Sequence, residues 1–293
     1  MLSIPEVTDS HLAKGGNLYV VATPIGNLMD ITLRALAILN SVDVVAAEDT
    51  RHTGHLLSHF GIHAPLVSCH EFNENVRADA LIGRIAAGES VALVSDAGTP
   101  SVSDPGYRLI CRAIEKGVGV VPVPGVSAAI TALCVSGLPT DAFVFIGFAP
   151  RKKKQMDELI EGLKSERRTL VFYESPRRVL SLVEALKQGL GDRPAVLARE
   201  LTKIHEEFLR RNLSDLGRIL SERSQIKGEC TLLVGGFAGE QAEPVDLDME
   251  IARQLESCKT GTSALARELA EKHGLNRRKV YEAILRIQNK DGK

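Results

Sequence analysis

The chain has 293 residues, 44% of them hydrophobic and 25% charged, with a formal net charge of -1. This is the make-up of a water-soluble globular protein with room for two domains and a small appendage. It excludes a disulfide scaffold, because the five cysteines are scattered with no CxxC, and a polyanion binder that works by net charge alone. No apolar run approaches membrane length, so no membrane contact is expected. The cysteines read as buried thiols in a reducing compartment. With no signal-peptide pattern at the N-terminus, the expected location is cytoplasmic.

In chain order, residues 1–16 are polar and aperiodic and read as a flexible tail. Leu18 to Ala22 reads as a strand running into Thr23-Pro24-Ile25-Gly26-Asn27, after which Asp30 and Thr32 open a helix. Neither GxGxxG nor a P-loop pattern is present, and Pro24 lacks the amide N–H that a phosphate cradle uses. The loop suits a ligand lying flat against backbone. Val42 to Ala47 reads as a second strand that delivers Glu48, Asp49, Arg51 and His52 at its tip. Acids at a helix start favour its dipole, which leaves Arg51 and His52 unexplained, so this crowd of ionisable groups is a candidate site. The nearby histidines His52, His55, His63 and His70 lack metal-ligand spacing, and no metal is expected.

Val91 to Val94 reads as a strand buried on both faces that empties into Ser95-Asp96-Ala97-Gly98-Thr99-Pro100. Asp96 can accept hydrogen bonds from a ligand's amine or hydroxyl, or it can serve as a turn former. Ser103-Asp104-Pro105-Gly106 reads as a capping residue and proline at a helix start. Val118 to Val123 reads as a further buried strand, followed by Pro124-Gly125-Val126-Ser127-Ala128-Ala129. Three small-residue loops at strand tips point to a ligand at the carboxyl ends of an α/β sheet. Leu138 to Asp141 breaks the pattern, which sets a first α/β domain at residues 17–138.

A second α/β domain, residues 139–238, begins with the strand Ala142 to Gly147. The run Arg151, Lys152, Lys153 and Lys154 follows at once; four positive charges at a helix N-terminus oppose the dipole, and a phosphate nearby would offset that. Further strands are read at Thr169 to Tyr173, Pro194 to Arg199 and Thr231 to Gly235. Between the last two, His205 to Arg211 reads as a charged ribbon that makes the sheet mixed. A linker at residues 239–247 leads to a helical extension, residues 248–293, which resembles a helix-turn-helix with Asn276 capping the last helix. From Lys272 to Lys293 there are seven Lys/Arg against two Asp/Glu, so Arg277, Arg278 and Lys279 are candidate nucleic-acid contacts. The alternative is a helical lid with a solvated basic face.

Six motifs in order, TPIGN at 23–27, AAEDTRHT at 46–53, SDAGTP at 95–100, DPG at 104–106, PGVSAA at 124–129 and FYESPRR at 172–178, resemble the ribosomal RNA small subunit methyltransferase I family. That family belongs to the tetrapyrrole-methylase-like superfamily, and the resemblance spans about residues 17 to 236. It implies two α/β domains with the cofactor cleft between them. It implies S-adenosylmethionine as cofactor, 2′-O-methylation of a cytidine ribose, 16S rRNA or the small ribosomal subunit as partner, and a homodimer. On the matching motifs it implies that Pro24, Ile25 and Gly26 line the cofactor, that Asp96, Ala97, Gly98 and Thr99 hold its amino acid or ribose, and that Ser127 and Ala128 offer backbone groups. It also implies that Phe172, Tyr173 and Ala198 close over the adenosine.

A ribose hydroxyl is a poor nucleophile until its proton can leave, so a general base would help methyl transfer. The ionisable groups at strand tips are Glu48, Asp49, His52, Glu174, Glu200 and Lys203. The acidic pair Glu48 and Asp49 is the expected catalytic site, with Arg51 a further RNA contact. Two other readings stand beside this one. A small-molecule tetrapyrrole methyltransferase would not need the basic run at 151–154. A DNA-binding regulator would use the α/β body as a sensor.

Overall fold

The computed structural model describes residues 13–239, 251, 253–255, 261–273 and 277–290. The chain divides into two compact units, Met1–Phe237 and Ala238–Lys293.

The first unit holds two five-stranded sheets. Strands β1 (Asn17–Val21), β2 (Val44–Ala47), β3 (Leu66–Ser68), β4 (Val91–Val94) and β5 (Gly119–Val123) form a wholly parallel sheet in the order β3-β2-β4-β1-β5. Helices α1 (Leu33–Ser41), α2 (Thr50–His59), α3 (Glu74–Ala86) and α4 (Tyr107–Glu115) make the crossovers. Every residue of β2 and β4 is buried, as a central parallel strand covered on both faces requires. One face packs Tyr19, Val21, Val45 and Val94 against Leu36, Leu39 and Leu57; the other packs Leu18, Val44 and Leu93 against Leu81, Ile85 and Leu109. The run ending in β5 was expected to be buried, yet only Val123 is. The strand lies at the sheet edge, where Pro122 is tolerated because no outer neighbour needs its N–H.

The second sheet has strands β6 (Phe143–Phe148), β7 (Thr169–Glu174), β8 (Pro194–Arg199), β9 (Glu207–Asn212) and β10 (Cys230–Val234) in the order β6-β7-β10-β8-β9. Only β6 and β7 are parallel, so the sheet is mixed; the charged ribbon is its antiparallel edge strand β9. Helices α6 (Lys153–Leu163), α7 (Val179–Leu190) and α8 (Leu213–Ser221) cover one face through a core that includes Leu170, Phe172, Leu182, Leu197 and Leu216. Its other face, with Val171, Val196 and Leu233, packs on Ile25 and on helix α5 (Ala128–Cys134). That packing brings the second sheet over the loop ends of the first.

Two local expectations change. Residues 13–16 are held rather than loose: the Ala13 N–H donates to Ser41 Oγ at 2.9 Å and the Gly16 N–H to the Glu89 carbonyl at 3.0 Å. Residues 1–12 and most of the expected linker lie outside the described residues. Cys69 and Cys230 are buried, but Cys134 is exposed at the end of α5, and Cys258 lies outside the described residues.

In the second unit, α9 (Thr262–His273) and α10 (Arg277–Lys290) share a small core of Leu265, Ala266, Leu269, Val280 and Ile284, joined by Ile251. Each helix spaces its apolar residues by three or four, so that one stripe meets the other. The expected cap at Asn276 lies outside the described residues. Among the described residues no helix is long and apolar enough to cross a membrane.

Candidate active site

The neighbouring strands β4, β1 and β5 each end in a small-residue loop, and the three loops are tied together. The backbones of Thr23 and Gly98 exchange both hydrogen bonds, at 2.8 and 3.0 Å. The Thr23 hydroxyl donates to the Ser95 carbonyl at 3.2 Å, and the Thr99 hydroxyl to the Val126 carbonyl at 3.1 Å. Gly98 sits at φ +82°, where a side chain would be strained, and a Cβ there would also press on Ile25 at 3.4 Å. From the second sheet, the Tyr173 hydroxyl accepts the Ala129 N–H at 3.1 Å and so anchors the start of α5.

Between the loops and the second sheet lies a cavity of about 400 Å³. Its walls include Ile25, Ala97, Gly98, Thr99, Ser127 and Ala128 from the first sheet's loops, and Phe148, Tyr173, Ser175, Pro176 and Thr231 from the second half. Five carboxylic acids also line it: Glu48, Asp96, Asp104, Glu174 and Glu229. Burial pushes the Asp104 carboxyl up to about 6; the nearby Glu48 and Asp96 charges add to this, while the Ser95 hydroxyl pulls it back. Glu48 is also raised, first by burial and then by Asp96. Glu174 is buried and meets Arg178 at 3.3 Å. Cys230 lines the same cavity, and burial holds its thiol up at about 12, so it stays protonated and is no nucleophile at neutral pH. Among the described residues no three His, Cys, Asp or Glu are grouped so as to hold a metal ion.

The expected site residues divide. Ile25, Glu48, Asp96, Ala97, Gly98, Thr99, Ser127, Ala128 and Tyr173 line the cavity. Phe172 does not: strand alternation sends its side chain into the core on the opposite face of β7. Ala198 is fully buried in the packing between the halves, and Pro24 is buried in the chain's first loop. Gly26 faces another way, since a Cβ there would strike Lys203 Cγ at 2.5 Å and the Leu201 carbonyl at 3.0 Å. Its lack of a side chain lets the first loop approach the loop after β8.

Asp49 also leaves the cavity. It caps α2, accepting the Arg51 N–H at 2.8 Å, and its second oxygen meets the Arg51 guanidinium at 2.7 Å. These bonds hold its carboxyl well below the usual carboxylate range, which makes it a poor base. Its own N–H donates to Asp96 Oδ1 at 3.0 Å, so Asp96 also braces the tip of β2.

Asp104 is the cavity residue that its sequence surroundings assign elsewhere. It was expected to cap the helix that follows, but the N-cap of α4 is Gly106. The helix end is satisfied instead by Glu74 of α3, whose Oε1 accepts the N–H groups of Gly106, Arg108 and Leu109 at 3.1, 2.8 and 3.1 Å. Relieved of capping, Asp104 faces the cavity. The only sequence signal for it is its place in DPG, a few residues downstream of a loop already marked as a site.

Of the expected RNA contacts, Arg151, Lys152, Lys153 and Lys154 are exposed around the N-terminus of α6, beginning three residues after the cavity residue Phe148. Arg51 is exposed but paired with Asp49. In the second unit Lys279 is exposed, Arg278 pairs with Glu282 at 3.0 Å, and the side chain of Arg277 lies outside the described residues.

Residues 17–217 match the family model described as tetrapyrrole (corrin/porphyrin) methylases. A protein of Halalkalibacterium halodurans named ribosomal RNA small subunit methyltransferase I is 50% identical over 79% of this chain and 80% of its own length. One of the same name from Escherichia coli O157:H7 is 44% identical over 93% of this chain and 96% of its own. Among solved structures, uroporphyrin-III C-methyltransferase of Thermus thermophilus complexed with S-adenyl homocysteine is similar in fold. Its TM-score is 0.54 at 19% identity, covering 74% of this chain and 97% of that one.

Proposed function

Since the chain belongs to the tetrapyrrole methylase family, we propose that it is an S-adenosylmethionine-dependent methyltransferase that modifies the 2′-oxygen of a cytidine ribose in 16S ribosomal RNA. The observation that carries this reading is the acid-lined cavity at three tied strand-tip loops, in a chain whose relatives carry an rRNA methyltransferase name over most of their length.

The residues present fit the cofactor. A volume of about 400 Å³ falls within the range of small-molecule sites, about 300–1,000 Å³. Ile25, Ala128, Phe148 and Tyr173 offer an apolar wall for an adenine, and Gly98 allows close approach to backbone. Glu48, Asp96 and Asp104 make the floor negative, which favours a sulfonium cation. Bound there, the cofactor would supply an electrophilic methyl for the ribose oxygen, with its neutral thioether sulfur as the leaving group. The chain orients the two reactants and accepts the hydroxyl proton on a carboxylate. Asp104 suits that task, because a group titrating near 6 is ionised at neutral pH yet more basic than an ordinary carboxylate. The basic run at 151–154 would hold RNA phosphates beside the cavity. A homodimer in the cytoplasm belongs to the same reading, and sedimentation of the purified chain tests the dimer.

Titration calorimetry with S-adenosylmethionine tests the cofactor site. Wild type binds, and Asp96→Ala binds roughly ten-fold or more weakly, because a charged acceptor is removed from the cavity wall. Equal affinity for both proteins would move the anchor elsewhere. Truncation after Gly239 tests the second unit. Cofactor affinity stays the same, RNA affinity falls, and the slope of log affinity against log salt flattens by about 0.7 for each phosphate that is no longer neutralised. An unchanged slope would remove Arg277, Arg278 and Lys279 from the RNA interface.

A further inference from the structure

A second cavity, of about 460 Å³, shares two residues with the first, Glu48 and Asp104. Its remaining wall includes two more acids, Glu71 and Glu74, but adds what the first cavity lacks, a guanidinium and two strongly exposed rings. Phe72 is 94% exposed and Tyr107 is 69% exposed, and both line it together with the exposed Arg108. Two large exposed aromatic rings and a guanidinium thus line one cavity. They match the way proteins hold single unstacked bases, by stacking on aromatic and guanidinium planes.

His70 adds a directional group. Asn73 Oδ1 accepts the His70 backbone N–H at 2.9 Å, which makes Asn73 Nδ2 the donor that lies 3.1 Å from His70 Nε2. Nε2 therefore accepts, and the ring proton sits on Nδ1. That Nδ1 is buried and has no hydrogen-bond partner among the described residues, on a ring that lines the cavity. Nδ1 itself is closed off from the cavity, so a ligand oxygen reaches it only after the ring or its surroundings shift.

We propose that this second cavity receives the target nucleotide, swung out of its strand, with its base against Phe72 and Tyr107, and that Glu48 and Asp104 form the wall where its ribose meets the methyl donor. The proposal rests on the methyltransferase reading above and assigns that site its nucleotide subsite. Base flipping into a pocket is how enzymes reach an atom that stacking would otherwise hide. Arg108 is exposed at the cavity wall, and its guanidinium can meet a phosphate or a base edge there.

The test uses the full chain and a small-subunit rRNA fragment, with RNA affinity measured in the absence of any methyl donor and S-adenosylmethionine affinity measured separately. Phe72→Ala and Tyr107→Ala each weaken RNA binding roughly 5- to 100-fold, the range for removal of one stacking partner. Both leave cofactor affinity unchanged, and Phe72→Trp restores RNA binding. In turnover with both substrates the alanine variants raise KM for RNA. Unchanged RNA affinity in both alanine variants overturns the proposal. So does a fall in solution mass to half that of wild type, which would mean that the aromatic face covers a second copy of the chain. If wild type binds RNA but no S-adenosylmethionine, the methyltransferase reading fails, while the RNA result still decides whether these aromatics hold a base.

Discussion

Replacing Asp104 by asparagine is expected to lower kcat for RNA methylation by roughly 10²- to 10⁴-fold, the usual contribution of a general base. The wild-type log kcat should climb with pH to a plateau that begins near 6, where Asp104 becomes ionised. The variant should lose that limb. Glu48→Gln should shift the limb to lower pH, because the Glu48 charge is one of the causes that hold Asp104 up. Stability should move in the opposite direction from activity. The ordinary value of this carboxyl is 3.8, so between about pH 4 and about pH 6 the folded chain keeps a proton that the unfolded chain has lost. Raising the pH through that window costs stability, and the full cost is present above 6. Asparagine cannot ionise, so Asp104→Asn should melt at or above the wild-type temperature at pH 7.5. A variant that melts much lower while keeping its activity would show that Asp104 is structural.

Glu74→Ala is expected to be the most destabilising single change to a charged residue in the first unit. The Glu74 carboxylate is 4% exposed and accepts three N–H groups at the start of α4, where Gly106 offers no side-chain cap. Alanine would leave these donors without an acceptor and the positive end of the helix dipole without its counter-charge. The expected loss is about 3 kcal/mol, from charge-assisted bonds worth about 1.5–3 kcal/mol and buried donors left unpaired. For a unit of this size that lowers the melting temperature by about 6–12 °C. Activity should fall as well, because the same bonds fix the turn that carries Asp104. Glu74→Gln keeps one acceptor oxygen and should lose about half as much. A melting temperature within a degree of wild type for Glu74→Ala would contradict this account of the helix start.

Much of this architecture is legible in the chain because its signals are local. The runs at Val44–Ala47 and Val91–Val94 are apolar throughout, and only a strand covered on both faces asks for that. The three loops announce themselves by small residues after such runs. The edge strand β5 misleads, since its valines look like core while Pro122 is the mark of an edge. What is not legible depends on residues far apart in sequence. Ser103 to Gly106 has the residues of a helix start, yet the acceptor that caps α4 comes from Glu74, about thirty positions upstream. Reading the cap locally hides Asp104. Phe172 and Tyr173 sit side by side in one motif, and only the pairing of β7 with β6 and β10 decides which ring faces the cavity. Gly26 looks like a ligand contact because glycine permits close approach, but the partner that approaches is the loop at Leu201 to Lys203.

The most direct measurement is transfer of a labelled methyl from S-adenosylmethionine to small-subunit rRNA, followed by nuclease digestion and mapping of the labelled nucleotide. One labelled cytidine is expected, with the methyl on its 2′-oxygen and the adjacent phosphodiester resistant to alkali. Label on the base, or label on a tetrapyrrole with none on RNA, would contradict it.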